Sequence, residues 1–465
     1  MTGYLQHWSV FQPNKIAVKT QSSNLTWSEL NIRVGNIASQ LQTEGVNHND
    51  VVAAVGKNCP DLLLLYLACL EIGAVMSPIS PAPWAELEGK FKTLAPKYVW
   101  WQKQAERACK LPRFSWTESS LTRLSKAPCE LPQHLSSKPQ VSNQLVSLIF
   151  TSGSSGKPKA VAHTASQHIA SAKGLLSEFQ FEQTDSWLLS LPMYHVSGLA
   201  IVWRWLVVGA GLVIPGDKGL SYDLTQVTHA SLVAVQLQRV LEDNHTLMLK
   251  RVLLGGSHIP ESLCQSARER GVDTWLGYGM TEAASTVTAK RTDELANAGS
   301  VLPNRQLKLV GERIYIAGET LASGYYQNGI VTPLIRHDGW FDTKDLGQWQ
   351  PNEQLKIIGR ADNQFVSGGE NIHCEEIEAV LNTHPQIQQS YIVPLVDTEF
   401  GHRPVAVLIA SILLDKTNYD AFLAPKLTKF KWPIGYHLMP PELLGNGIKV
   451  SRQSIKQWLL EKTVT

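Results

Sequence analysis

A run of aliphatic and β-branched residues, Leu145 to Phe150, empties into Thr151-Ser152-Gly153-Ser154-Ser155-Gly156-Lys157-Pro158-Lys159. This junction constrains the fold and chemistry of the chain more than any other segment. Glycines let the backbone approach a ligand closely, and successive N–H groups in such a loop form an anion nest. Hydroxyls and two lysines complete the set that a polyphosphate needs. The string is not a Walker loop, which has four residues between its glycines and Ser or Thr directly after the lysine. Here two residues intervene and Pro158 follows Lys157. By composition alone, a solvated Gly/Ser turn stays open.

The surrounding pattern predicts an α/β fold. Strands are expected at Val51 to Val55, Leu145 to Phe150, Trp187 to Leu191, Ala230 to Val235 and Arg251 to Leu254. Helices are expected at Asp61 to Leu70, Thr164 to Leu176 and Ile201 to Val208. Strands alternating with helices imply largely parallel sheets with covered faces. With 465 residues, 43% of them hydrophobic, the chain exceeds one ordinary core. Ser125 to Asn143, rich in Pro and Ser, reads as a surface connection. A boundary is expected near Gly359-Arg360-Ala361-Asp362, dividing a large domain (1–360) from a small α+β domain (361–465). In the latter a helix is expected at Glu375 to Leu381, strands at Ser390 to Pro394 and Val405 to Ile409, and a last helix at Ser451 to Leu460.

Formal charge is +2, from 42 basic and 40 acidic residues, which leaves no electrostatic footprint for nucleic acid or an anionic membrane. The six cysteines contain no C-x-x-C pair. Met1 to Val10 has neither a basic nor an apolar signal region, and the longest apolar stretch, Leu62 to Leu70, is too short to span a bilayer. A cytoplasmic location is therefore expected.

Further motifs follow in order. Pro192-Met193-Tyr194-His195-Val196-Ser197-Gly198 puts a histidine after a strand, and Leu253-Leu254-Gly255-Gly256-Ser257 ends a strand in bare backbone that can accept a flat ring. Gly277-Tyr278-Gly279-Met280-Thr281-Glu282 offers a hydroxyl for a phosphate oxygen and a hard oxygen ligand for a hard cation. Asp345, in Phe341-Asp342-Thr343-Lys344-Asp345, has two acceptor oxygens suited to a ribose diol. Together with Gly447-Ile448-Lys449-Val450-Ser451-Arg452, these strings resemble the adenylate-forming (acyl-CoA synthetase) superfamily over nearly the whole chain.

The resemblance implies a substrate carboxylate activated by ATP and Mg²⁺ as an acyl-adenylate, then transferred to coenzyme A. It assigns Thr151, Ser152, Gly153, Ser154, Ser155, Gly156, Lys157 and Lys159 to the β- and γ-phosphates. Gly255, Gly256, Gly277, Tyr278 and Gly279 border adenine, and Tyr278 stacks on it. Thr281 bonds the α-phosphate, Glu282 holds Mg²⁺, Asp345 and Arg360 hold ribose, and His195 places the carboxylate. Lys449 is the catalytic lysine bridging acid and α-phosphate, Asp362 is the hinge, and Gly368-Gly369 enters for the thioester step. Two departures stand out: Lys344 replaces a glycine, and Ile448 separates Lys449 from Gly447.

Ile201-Val202-Trp203-Arg204-Trp205-Leu206 places one arginine in apolar surroundings. Such an arginine is either held in an internal salt bridge or forked onto a carboxylate of a ligand. This string, with Trp187-Leu188-Leu189-Ser190-Leu191-Pro192 and Phe400-Gly401-His402-Arg403-Pro404-Val405, resembles a quinone-pathway subfamily of these ligases. That implies an aromatic dicarboxylate, one carboxylate activated and the other anchored by Arg204, directly or through water. Ser231, Ser257 and Ser300 are further pocket candidates. A general aryl- or fatty-acyl-CoA ligase remains the nearest rival. A peptide-synthetase adenylation domain would want an acidic partner for its substrate's amine, and none is identifiable. A non-catalytic nucleotide binder would not need Thr281, Glu282, Asp345, Arg360 and Lys449 together. The sequence leaves homo-oligomerisation open.

Overall fold

The structure, a computed structural model, describes residues 3–102, 113–114, 143–151, 159–243, 245–256, 259–293, 295, 297–335, 338–444 and 450–464. Four sheets organise them. The first has nine strands in the order Ser300–Val301, Ser285–Arg291, Asp273–Met280, Arg251–Gly255, His229–Leu232, Ser186–Leu188, Gly211–Val213, Ile16–Lys19 and Asn24–Thr26. The second has eight: Ile330–Pro333, Gly324–Gln327, Lys159–Thr164, Leu145–Thr151, Val75–Ile79, Val51–Val55, Tyr98–Trp101 and Arg113–Phe114. Both are parallel in the middle and antiparallel at one or both ends.

Successive residues of a strand face opposite ways, and here both faces are covered. Val52 and Ala54 join a central core, while Val51, Ala53 and Val55 join an outer one. In the first sheet Trp187 and Leu253 face the central core; Leu188, Val252 and Leu254 face outward. The central core therefore lies between the two sheets, filled by helices Trp27–Thr43, Pro60–Ile72, Ala165–Phe179 and Val196–Val208. Helix Pro60–Ile72 is buried on every side from Leu62 to Leu70, starts with Pro60 at its first turn and ends at Gly73 with φ 75°.

Many tryptophans serve this layer. Trp27 stacks on Trp205 at 5.0 Å between centroids. Trp8, Trp203 and Trp205 donate their indole N–H to Leu206 O, Tyr66 Oη and Ala210 O. Large apolar area with one satisfied polar atom suits an interior shared by two sheets.

A third sheet, Arg305–Val310, Arg313–Gly318, Phe341–Trp349 and Leu355–Arg360, is wholly antiparallel. The alternating-element pattern did not foresee it. Its core, with Ile314, Ile316 and Leu355, includes Ala283 and Val287, so it packs against the end of strand Asp273–Met280. The fourth sheet, Glu370–His373, Gln364–Ser367, Gly401–Ala410 and Ile387–Asp397, adds Tyr436–Leu438 in parallel. Its two cores draw only on residues between Phe365 and Leu459. Among the described residues, no strand pairing joins it to the other sheets. No described helix is long and apolar enough to cross a membrane.

Several element bounds differ from expectation. The expected strand Trp187 to Leu191 stops at Leu188, as Leu189 O, Leu191 O and Met193 N turn to Asn58. The strand at Ala230 ends at Leu232, and Val233 already begins the next helix. The helix carrying Arg204 starts earlier, at Val196. The Ser125 to Asn143 connection lies outside the described residues, apart from Asn143.

Candidate active site

Strand Asp273–Met280 carries Gly277-Tyr278-Gly279 to the edge of the third sheet. Gly255 and Gly277 share a rung, and a Cβ on Gly255 would sit 3.1 Å from the Gly277 carbonyl. The pairing slips between Tyr278 and Gly279, where a Cβ on Gly279 would lie 1.8 Å from Ser285 O. Only glycine fits that bulge. The chain then turns through the short helix Thr281–Ala283.

Tyr278 donates its hydroxyl to Asp345 Oδ2 at 2.6 Å. Burial and the Asp345 charge hold its pKa well above the usual range, so it stays a donor. Asp345 Oδ1 accepts from Arg360 Nη1 at 2.9 Å, and Arg360 Nε and Nη2 fork onto Asp362 at 2.8 and 3.0 Å. Thr343 braces this group, donating to Ile314 O and accepting from Asp345 N. Lys344 takes the left-handed conformation, φ 63°, and its N–H donates to Asp342 Oδ1. A lysine thus adopts the turn that glycine would favour.

The second sheet grips the Thr281-Glu282 turn. His163 Nε2 donates to Thr281 O at 2.7 Å, Ala322 N to Glu282 O at 2.8 Å, and Tyr325 Oη to Glu282 Oε1 at 2.9 Å. Burial lowers the His163 pKa to about 4, so the ring is neutral, and a carbonyl partner places its proton on Nε2. Lys159 lies over the Tyr325 ring, 4.9 Å from its centroid. Thr151 pairs with Lys159 where the phosphate string leaves and rejoins the sheet. Ser152 to Lys157 lie outside the described residues. Gly256 has φ 91°, and Ser257 is also outside.

Among the described residues, no group of three or more His, Cys, Asp or Glu could cage a metal. Glu282 suits Mg²⁺ of the kind held by one carboxylate and the substrate's own phosphate oxygens.

On the other flank, His195 caps helix Val196–Val208, its ring edge-on to Tyr194 at 4.9 Å. Asn58 holds the segment before it: Nδ2 donates to Leu189 O and Leu191 O, both at 2.8 Å, and Oδ1 accepts from Met193 N at 2.9 Å. A Cβ on Gly198 would lie 2.1 Å from Pro192 O, so glycine is required at that contact too.

About two and a half turns along the helix, Arg204 is 1% exposed. Its guanidinium lies 5.3 Å from the Trp187 ring centroid, and Nη2 donates to Thr286 Oγ1 at 3.3 Å. Nε has no partner among the described residues. The internal salt bridge considered above is likewise absent among them. Burial, then the neighbouring Arg305, lowers the Arg204 pKa to about 9, which leaves it charged at neutral pH. Arg305 is fully engaged by Thr286 O, Pro303 O and Ser171. Ser231 Oγ is buried without a partner among the described residues. Ser300 is exposed, opposite Ala289, which itself faces Gly277.

Past Asp362, Gly368 and Gly369 have φ 59° and 85°, and the Phe400 ring covers Gly368. Lys449 lies outside the described residues. Arg452, three residues on, bonds Glu375 at 3.2 Å and Glu378 at 2.6 Å. Sequence reasoning had not found Asn58, His163, Thr286, Arg305 or Tyr325. No local motif marks them, since each acts on backbone or side chains more than forty residues away or through a partner itself unassigned.

A phosphate-loop strand, a Thr-Glu turn and a Tyr–Asp–Arg cluster, drawn from three sheets, define a nucleotide-using enzyme of the adenylate-forming class. The profile of the AMP-binding enzyme family matches residues 5–326, and the chain belongs to that family. It is 40% identical to the 2-succinylbenzoate–CoA ligase of Escherichia coli over 98% of this chain and 97% of that protein. It is also 40% identical to the ligase of the same name from Haemophilus influenzae, over 97% and 96%. Among solved structures, a substituted Escherichia coli MenE with bound OSB-AMS superposes with TM-score 0.86 at 38% identity, covering 98% of both chains. Bacillus subtilis MenE in complex with ATP and magnesium ion, at 22% identity and TM-score 0.82, shares the fold.

Proposed function

We propose that this chain joins 2-succinylbenzoate to coenzyme A through an acyl-adenylate, consuming ATP and releasing AMP and pyrophosphate, as a step of menaquinone biosynthesis. Its relatives bear that activity in their names, and the observation within this chain that carries it is Arg204. A buried, charged guanidinium with no carboxylate partner among the described residues is costly unless a ligand supplies one. An acid with a second carboxylate does so; a fatty acid does not.

In the first half-reaction the succinyl carboxylate attacks the α-phosphate of ATP. Negative charge spreads over phosphate oxygens, so positioned donors and cations supply most of the catalysis. Thr281 donates to the α-phosphate, Lys449 bridges it to the attacking carboxylate, and the loop from Thr151 to Lys159 cradles the outer phosphates. Bound Mg²⁺ supplies charge neutralisation there, with Glu282 as its protein ligand. Asp345 accepts from the ribose hydroxyls while Arg360 and Tyr278 keep it aimed. His195 orients the carboxylate, and Arg204, Ser231 and Ser257 line the acid's far end, with Ser300 at the rim.

In the second half-reaction the unit from 361 onward turns about Asp362, withdrawing Lys449 and bringing in Gly368-Gly369. The coenzyme A thiol attacks the mixed anhydride and AMP leaves. The change of sheet between Arg360 and Gln364, with a separate core beyond it, supports a boundary there. Location in the cytoplasm, where its co-substrates are, completes the reading.

The test is acid-dependent release of AMP with coenzyme A present, comparing 2-succinylbenzoate, benzoate and a medium-chain fatty acid. Strong preference for 2-succinylbenzoate is expected; preference for a monocarboxylate contradicts the substrate assignment. Lys449→Ala is expected to abolish acid-dependent ATP–pyrophosphate exchange yet convert pre-made acyl-adenylate to thioester near the normal rate. Equal loss of both steps would sink the division of labour.

A further inference from the structure

The Thr281-Glu282 turn belongs to the first sheet, but its orientation is set by the second. Strand Gly324–Gln327 pairs with Lys159–Thr164, with Tyr325 opposite Val161. From this strand pair and the segment leading into it come three hydrogen bonds, from His163 Nε2, Ala322 N and Tyr325 Oη. Two of them fix backbone carbonyls. The third is different in kind: the Tyr325 hydroxyl donates to Oε1 of the Glu282 carboxylate at 2.9 Å. A glutamate carboxylate on three free torsions has many orientations; one held by a phenol through one oxygen presents the other in a set direction. The opposite demand falls on the same ring, whose face lies 4.9 Å from Lys159 Nζ at the end of the phosphate string.

We infer that Tyr325 is a positioning residue for metal–nucleotide binding: it orients Glu282 so that Oε2 faces the cation, and its ring sets Lys159 beside the same phosphates. This rests on the reading that Glu282 is the magnesium ligand. The phenol never touches the reacting atoms; it acts through the carboxylate.

The experiment is calorimetric titration of the full-length protein with ATP, in the presence and absence of Mg²⁺ and without acid, so that no turnover contributes. Wild type, Tyr325→Phe, Glu282→Gln and the double variant are compared. Removing one hydrogen bond to a charged group corresponds to about a tenfold loss. Tyr325→Phe is expected to weaken Mg·ATP by about that factor, leave metal-free ATP binding unchanged, and add nothing in the Glu282→Gln background. The Mg²⁺ concentration for half-maximal ATP–pyrophosphate exchange should rise in parallel. If Glu282→Gln weakens Mg·ATP while Tyr325→Phe does not, the inference is overturned and the metal role of Glu282 stands. If neither does, the metal role itself fails and takes the inference with it. Equal weakening of ATP with and without Mg²⁺ in Tyr325→Phe would also overturn it, by making the ring a general support of the nucleotide site.

Discussion

Arg204 is charged, 1% exposed and, among the described residues, short of a hydrogen-bond partner at Nε. A protein optimised for stability alone would not keep it. Replacing a buried charged group with an apolar side chain of similar volume often stabilises by ~1–4 kcal/mol. Arg204→Met is therefore expected to melt higher than wild type in calorimetry while losing acid binding, the trade between stability and function seen at ligand sites. A lower melting temperature would mean that Thr286 and the Trp187 face already satisfy the charge. Arg204, His195, Thr281, Glu282, Asp345 and Arg360, whose roles belong to the proposed function, could be singled out in the sequence because each sits within a contiguous motif. Lys344 was legible as a departure, but not its outcome: φ 63° is reachable by lysine at a cost of roughly 1–2 kcal/mol, and nothing in the composition says whether a chain accepts that.

At the scale of elements, the parallel strands and the buried helix Pro60–Ile72 were readable from short aliphatic runs and the Pro60 and Gly73 punctuation. The antiparallel sheet from Arg305 to Arg360 was not, because its strands alternate weakly and pair through turns without a strong signal. Nor could periodicity end the strand at Leu188, since the competing partner, Asn58, lies over a hundred residues away. The same elements set a pH dependence. Burial lowers His163 on strand Lys159–Thr164 and His229 on strand His229–Leu232 to about 4, and holds His168 well below its usual range. Their unfolded values are near 6.5, so between these limits the unfolded chain binds more protons. Stability is fully present above about pH 6.5 and falls as pH drops toward 4, by ~1.4 kcal/mol per pH unit for each histidine. Denaturant midpoints measured across this window should fall steadily; a flat profile would mean these rings are protonated in the fold.

For the whole molecule, two large sheets share one core, and the candidate site includes the turn after strand Asp273–Met280 of the first, which side chains of the second reach. Polar hooks cross between them: Asn58 reaches the segment before His195, while His163 and Tyr325 reach the Thr281-Glu282 turn. The segment at His195 and the Thr281-Glu282 turn are thereby fixed to one frame, as positional catalysis by the proposed site would require. In the proposed function this frame activates one carboxylate while Arg204 holds the second. It is tested most directly by measuring kcat/KM for 2-succinylbenzoate and for 3-benzoylpropionate, which lacks the ring carboxylate, in wild type and Arg204→Ala. Wild type should prefer the dicarboxylate by about a hundredfold, chiefly through KM, and the variant should lose nearly all of that preference, as expected when a buried charge pair is broken. An undiminished preference in Arg204→Ala would contradict the account, because the second carboxylate would then be held by other groups.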